Sequence, residues 1–113
     1  MSVKTKRIAS NIVKEISYIL AYEVKDKDIK FVTVTDCKLT TDLSFAKIYV
    51  TVFDREKKET TLKSLNEAAG FIRKQLAERI DIRHMPELEF VYDESIEYGK
   101  KIENIIEQIN KEN

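Results

Sequence analysis

Hydrophobic residues recur at helical spacing near the start of the chain and at strand spacing soon after. The apolar residues that share one helical face are Ile8, Ile12, Ile16, Ile19 and Leu20. This stripe predicts a helix over residues 4–22. Two stretches rich in β-branched residues, 29–39 and 43–53, predict strands, and the polar turn residues 40–42 favour an antiparallel hairpin between them.

The next helical pattern changes register in its middle. It follows a polar connection over residues 54–60 and covers residues 61–82. The apolar face shifts at Ala69 and Gly70, and a glycine inside a helix costs about 1 kcal/mol relative to alanine. We therefore predict a kink or a break between two helices at this point. A straight helix whose glycine packs against a neighbouring strand is the alternative.

A strand and a last helix complete the predicted elements. Pro86 ends the preceding helical region, and alternating apolar residues predict a strand over residues 88–92. Asp93 or Ser95 is a natural N-cap for the last helix, whose apolar stripe consists of isoleucines. The order α-β-β-α-kink-α-β-α predicts an α+β fold in one domain that spans residues 1–113.

Charge is distributed unevenly along this chain of 113 residues, whose formal net charge is 0. Residues 1–14 carry four basic residues and no acidic one, whereas residues 87–113 carry eight acidic and three basic residues. Solvated helix faces are the plain explanation, because 35% of all residues are charged. The asymmetry also suggests a basic end that meets an anion. Fifteen lysines against five arginines would favour phosphate contacts over the recognition of base edges.

The chain lacks the residue combinations that catalysis or metal binding requires. His84 is the only histidine, and no serine, cysteine or carboxylate marks it as part of a catalytic triad. Cys37 has no partner cysteine, so a buried, inert thiol is expected. No apolar run is long enough for a membrane span or a signal peptide, which points to the cytoplasm. The sequence favours a binding module without metal or cofactor over an enzyme.

Three basic groups are candidates for a site that binds the backbone of a nucleic acid. They are Lys4, Lys6, Arg7 and Lys14 at the start, Arg73, Lys74 and Arg79 after the kink, and Arg83 and His84 in the following loop. A helix that begins at the kink would add its backbone N–H groups and a favourable dipole for phosphate. Acidic residues in the same segment leave an ordinary exposed helix as the alternative.

Several ordered blocks of the sequence resemble ribosome-binding factor A. These blocks are Val32–Thr35, Thr41–Val50, Leu65–Arg73, Asp81–Phe90 and Tyr92–Gly99. The resemblance extends over residues 4–110, nearly the whole chain. The sequence departs from the family pattern at Lys27, where many members have proline, and at Tyr98, where histidine is common.

The resemblance implies a KH-like fold of type II topology, in which helices cover one face of a three-stranded sheet. KH domains typically clamp nucleotides with a GXXG loop. This family resembles them but has an Ala-x-Gly kink instead, which Ala68, Ala69 and Gly70 match. We therefore expect RNA contacts from these three residues and from the basic groups.

The implied function is that of an assembly factor. Such a factor binds the small (30S) ribosomal subunit and its 16S rRNA, near the 5′-terminal helix, late in maturation and above all in the cold. We expect it to act as a monomer. The alternatives are a protein–protein adaptor or homodimer that uses the isoleucine-rich last helix, and a small hydrolase that uses His84.

Overall fold

The computed structural model describes residues 2–29 and 31–95. Its first element is helix α1, Val3–Tyr22, which begins where the Ser2 hydroxyl accepts a hydrogen bond from the Thr5 backbone N–H at 3.1 Å. The side chains that α1 buries are Ala9, Ile12, Ile16, Ile19 and Leu20. The predicted helix and its apolar stripe are confirmed, except that the first isoleucine of the stripe is only half-buried.

Two strands follow as the predicted antiparallel hairpin, β1 at Val32–Leu39 and β2 at Phe45–Val52. Asp42 stabilises the turn between them, because its carboxylate accepts three hydrogen bonds from neighbouring turn residues. The prediction that β1 begins at residue 29 is wrong. Phe31 has a left-handed backbone conformation with φ 57°, which interrupts the extended chain just before β1.

The helical region after the hairpin consists of two helices, α2 at Lys58–Glu67 and α3 at Ala69–Ala77. Between them Ala68 has φ −87° and ψ 0°, which departs from the helical value of ψ. The predicted break is therefore confirmed, and the alternative of a straight helix is wrong.

Two predicted boundaries in this region are also wrong. Helical structure starts before residue 61, because Asp54 caps a 3-10 turn at Arg55–Lys57 that leads directly into α2. The helix α3 ends well before residue 82, because the N–H groups that follow it turn back to the carbonyl of Leu76 and close a tight last turn.

The third strand, β3 at Glu87–Tyr92, lies parallel to β2 and gives a mixed sheet with the order β1-β2-β3. Helix α1 packs over β1, α2 and α3 pack over β3, and α3 also contacts α1. Along β2, Ala46 and Ile48 are buried under the helices. Phe45 and Lys47 alternate with them and are exposed on the other face. The described helices therefore cover one face of the sheet.

One side chain of α2 closes the outer edge of β3. The Asn66 amide nitrogen donates to the Phe90 carbonyl at 3.1 Å, and the Asn66 amide oxygen accepts from the Phe90 N–H at 2.9 Å. The same nitrogen also donates to the Leu62 carbonyl within α2 at 3.1 Å. Asn66 thus satisfies the two backbone groups that Phe90 directs away from β2, just before the break between α2 and α3.

These elements confirm the predicted α+β class, and their arrangement is consistent with the KH-like architecture. The predicted last helix lies outside the described residues. Cys37 is buried in β1 as expected, and this burial raises the pKa of its thiol to about 12. None of the helices within the described ranges is long and apolar enough to cross a membrane.

Candidate nucleic-acid interface

The N-terminal part of α1 presents four exposed basic side chains, Lys4, Lys6, Arg7 and Lys14. Arg7 and Lys14 are separated by about two helical turns and therefore share one side of α1. Lys4 precedes Arg7 by one turn, whereas Lys6 points away from this side. We call Lys4, Arg7 and Lys14 the basic side of α1. No acidic residue occupies the first turn, so the positive end of the helix dipole adds to the positive potential of the basic residues near it.

The segment after α3 meets the basic side of α1 and forms a shallow cleft with it. The residues that line this cleft are Lys4, Arg7, Ile8, Asn11 and Glu15 of α1, and Arg79, Ile80, Asp81 and Ile82 after α3. The cleft has a volume of about 500 Å³. The fold thus brings Arg79 to Lys4 and Arg7, two groups of charge that lie far apart in the sequence.

Acidic and aromatic neighbours bind Arg79 within the protein. Its guanidinium group forms ion pairs with Glu15 at 3.4 Å and with Glu23, and it lies 4.3 Å from the ring centroid of Tyr18. The hydrogen bond with Glu23 is the main cause that raises the pKa of Arg79. Two carboxylates more than offset the single charge of Arg79, and these ion pairs tie α1 and its C-cap to the segment after α3. Lys4 and Arg7 of the basic side supply the positive charge of the cleft.

The two basic residues of α3 differ in their contacts. The Arg73 guanidinium group donates to the Pro86 carbonyl at 3.1 Å and to the Met85 carbonyl at 2.7 Å. These bonds fasten α3 to the residues just before β3, so Arg73 has a structural role that its sequence position did not indicate. Lys74 is exposed beside it and is accessible for a phosphate contact.

The break between α2 and α3 leaves open space next to Gly70. A Cβ atom built on Gly70 would meet no heavy atom within 4 Å. The φ angle of Gly70 also lies outside the left-handed region that favours glycine. Neither the packing of the described residues nor the backbone conformation therefore requires a glycine here. The open space would admit the backbone of a partner close to the Gly70 backbone.

Two lysines that no sequence pattern indicated lie beside this break. The loop after α1 places Lys25 and Lys27, both exposed, in a cleft with Ala68 and Phe71. Aspartates alternate with these lysines along the chain, so no basic run marks them in the sequence. Only the packing of α1 against α3 brings the loop to the break.

Arg83 and His84 are exposed in the connection between α3 and β3. Within the ranges that the structure describes, they do not line the cleft formed by α1 and Arg79. No cluster of three or more histidine, cysteine or carboxylate side chains that could bind a metal ion occurs among those same residues.

The mixed sheet, its helical cover and the broken helix pair beside basic side chains define a KH-like module, a class that typically binds nucleic acids. The family model described as ribosome-binding factor A matches residues 4–106. The chain belongs to the ribosome-binding factor A family.

Relatives of known sequence and structure agree with this assignment. Ribosome-binding factor A of Macrococcus caseolyticus is 43% identical over 113 residues, which is 99% of each chain. The crystal structure of ribosome-binding factor A from Thermus thermophilus is 28% identical and has a TM-score of 0.68, covering 78% of this chain and 94% of that one. A homology model of the Thermus thermophilus factor, fitted into a cryo-electron microscopy map of a 30S–RbfA complex, has a TM-score of 0.68 at 23% identity over 80% of this chain and 96% of that one.

Proposed function

We propose that this protein is a non-enzymatic assembly factor that binds the 30S ribosomal subunit through its 16S rRNA during late maturation. The observation that carries the proposal is the exposed basic side of α1, which meets the segment after α3 in a member of the ribosome-binding factor A family. The 30S–RbfA complex of the Thermus relative supports the choice of ribosomal subunit.

Phosphate contacts suit this surface better than the recognition of single bases. The basic side of α1 contains two lysines and one arginine, and lysine acts as a point charge, without the planar fork that pairs with guanine. Phosphate contacts place a protein on RNA without specifying a sequence. Selectivity would then come from the fixed shape of the fold, which complements one arrangement of the rRNA near its 5′-terminal helix.

A binder of this kind acts by shifting an equilibrium. It favours the rRNA conformation to which it binds more tightly, by no more than the difference between its two affinities. It would dissociate when the mature subunit presents a surface to which it binds less well. Because RNA rearrangements cross their barriers more slowly at low temperature, the need for the protein should be greater in the cold. The protein would act in the cytoplasm as a monomer without a cofactor.

Sedimentation with purified ribosomal particles tests the proposed function. The protein is expected to sediment with 30S subunits but not with 50S subunits, and the bound fraction should fall as salt rises. A plot of the logarithm of the binding constant against the logarithm of the salt concentration should fall with a slope of roughly 0.7–0.9 for each phosphate contacted. Failure to sediment with any particle at low salt would overturn the proposal and favour the protein–protein adaptor.

Replacement of Gly70 by alanine should separate stability from binding. Alanine is the better helix former, so Gly70→Ala should raise the free energy of unfolding by up to about 1 kcal/mol, as urea denaturation would measure. The added methyl group occupies the open space beside the break, so the affinity for 30S subunits should fall.

The matched control is Ala77→Gly at the exposed far end of α3. It should lower the stability and leave the affinity for 30S subunits unchanged. Unchanged binding by Gly70→Ala would show that no partner approaches the break closely.

A further inference from the structure

Two phenylalanine side chains form an exposed pair at the end of the hairpin that lies away from its turn. Phe31 is 77% exposed and Phe53 is 84% exposed. Their ring centroids are 5.9 Å apart, and their planes are tilted by 54°. The Phe53 N–H donates to the Phe31 carbonyl at 3.2 Å, which extends the pairing of β1 with β2 and places the rings side by side. We call Phe31 and Phe53 the aromatic pair.

The backbone at Phe31 contributes to this exposure. Its left-handed conformation, with φ 57°, is uncommon for a bulky residue. It lies between the buried Ile29 and the start of β1, so the chain turns at this point while the ring stays in solvent.

The loop after α1 lies between the aromatic pair and the break of the helices. Residues 24–27, which include Lys25 and Lys27, line two adjacent clefts at once. The first cleft extends to Phe31, and the second extends to Phe71, whose side chain is 47% exposed. Exposed aromatic rings are thus found on both sides of two exposed lysines.

Two of the acidic residues around this loop have partners within the protein. Glu23 is paired with Arg79. The Asp26 carboxylate accepts a hydrogen bond from the Asp28 backbone N–H at 2.9 Å. Lys25 and Lys27 are exposed, whereas Asp26 and Asp28 are half-buried, so the lysines are the more accessible charges of the loop.

We propose that the aromatic pair, Lys25, Lys27 and Phe71 form a track that binds an unpaired stretch of RNA. Bases stack on the exposed rings, and the lysines contact the phosphates between those bases, as in proteins that bind single strands. Aromatic residues are also common in protein interfaces, but lysine is depleted there, so this alternation favours RNA over a protein partner. The inference rests on the proposed function and adds to it a surface specific for unpaired RNA.

Tryptophan fluorescence provides a direct test, because the chain contains no tryptophan. The emission of a Phe31→Trp variant should be quenched by an unstructured RNA of about twelve nucleotides, and much less by the same RNA in a duplex. The control is Phe45→Trp, since Phe45 is 53% exposed on the open face of the sheet. Its emission should not change. Absence of quenching at millimolar RNA in about 50 mM salt, where phosphate attraction is strong, would overturn the track.

Affinity measurements complete the test and separate it from the proposed function. The double variant Phe31→Ala, Phe53→Ala should bind the single strand about 10- to 100-fold more weakly, and tyrosine at both positions should restore binding. Equal binding by the alanine variant would overturn the track. The track would also be overturned if the alanine variant lost its affinity for 30S subunits but still bound the single strand normally. That result would indicate a ribosomal protein as the partner. If wild-type protein still sediments with 30S subunits in either case, the proposed function stands.

Discussion

A protein in which the basic side of α1 is reversed in charge should lose most of its affinity for 30S subunits. The variant combines Lys4→Glu, Arg7→Glu and Lys14→Glu. If each residue contacts one phosphate, we expect a loss of at least about 100-fold at physiological salt, together with a flatter dependence of binding on salt. Sedimentation with 30S subunits at several salt concentrations would measure both effects.

The same substitutions should not destabilise the fold. All three side chains are exposed, and none belongs to the apolar stripe that α1 buries. Glutamate at position 4, the only one of the three positions in the first turn of α1, interacts favourably with the helix dipole by about 0.3–1 kcal/mol. Thermal unfolding should therefore show an unchanged or slightly higher melting temperature. The bases at this helix end reduce stability slightly, which is consistent with a role in binding.

A control with the same change in net charge uses exposed lysines elsewhere on the molecule. Lys47→Glu on the open sheet face, with Lys57→Glu and Lys63→Glu around α2, provides it. This control should retain most of its affinity for 30S subunits. An equal loss in both variants would mean that net charge alone governs binding. Normal binding by the α1 variant would exclude the basic side of α1 as the contact surface.

Replacement of Asn66 by alanine should lower the stability of the fold more than the substitutions in α1 and at Gly70 do. It leaves the Phe90 N–H and carbonyl without the partners that close the outer edge of β3. We expect the free energy of unfolding to fall by about 1–3 kcal/mol, and the melting temperature by roughly 4–15 °C. Urea and thermal denaturation, followed by circular dichroism, would measure these changes.

An isosteric variant isolates the hydrogen bonds from the shape of the side chain. In Asn66→Asp, one carboxylate oxygen still accepts from the Phe90 N–H, but the other cannot donate to the Phe90 carbonyl while it is ionised. This variant should be destabilised at neutral pH and should recover in part under acidic conditions, where a protonated carboxyl can donate. Lys63→Ala on the exposed face of α2 is the neutral control. Stability equal to wild type in Asn66→Ala would show that water replaces the amide.

The spacing of hydrophobic residues predicted those helices and strands that bury only one face. The isoleucine stripe of α1 and the alternation along β2 follow from that burial, so they are visible in the sequence. The shift of the apolar face at Ala69 and Gly70 marked the helix break for the same reason. Boundaries were less accurate, because the 3-10 turn before α2 and the left-handed Phe31 depend on local capping and backbone strain. Hydrophobic spacing does not record such effects.

The sequence predicted only part of the candidate site. Lys4, Lys6, Arg7 and Lys14 formed a basic run without acidic residues and could be selected directly. Arg73 was selected because it follows the predicted break, yet the fold uses it to bind the carbonyl groups before β3. A sequence lists the charges but does not show which of them have partners.

The sequence by itself determined the class of fold, the position of the helix break, the buried thiol and the basic start of α1, because each of these depends on residues that are close together in the chain. Only the tertiary structure decided that Glu15 and Glu23 pair with Arg79 and that Lys25 and Lys27 lie beside the break. These contacts join α1 and the loop after it to the α3 region. Such pairings follow from the packing of the helices on the sheet, which local spacing does not encode.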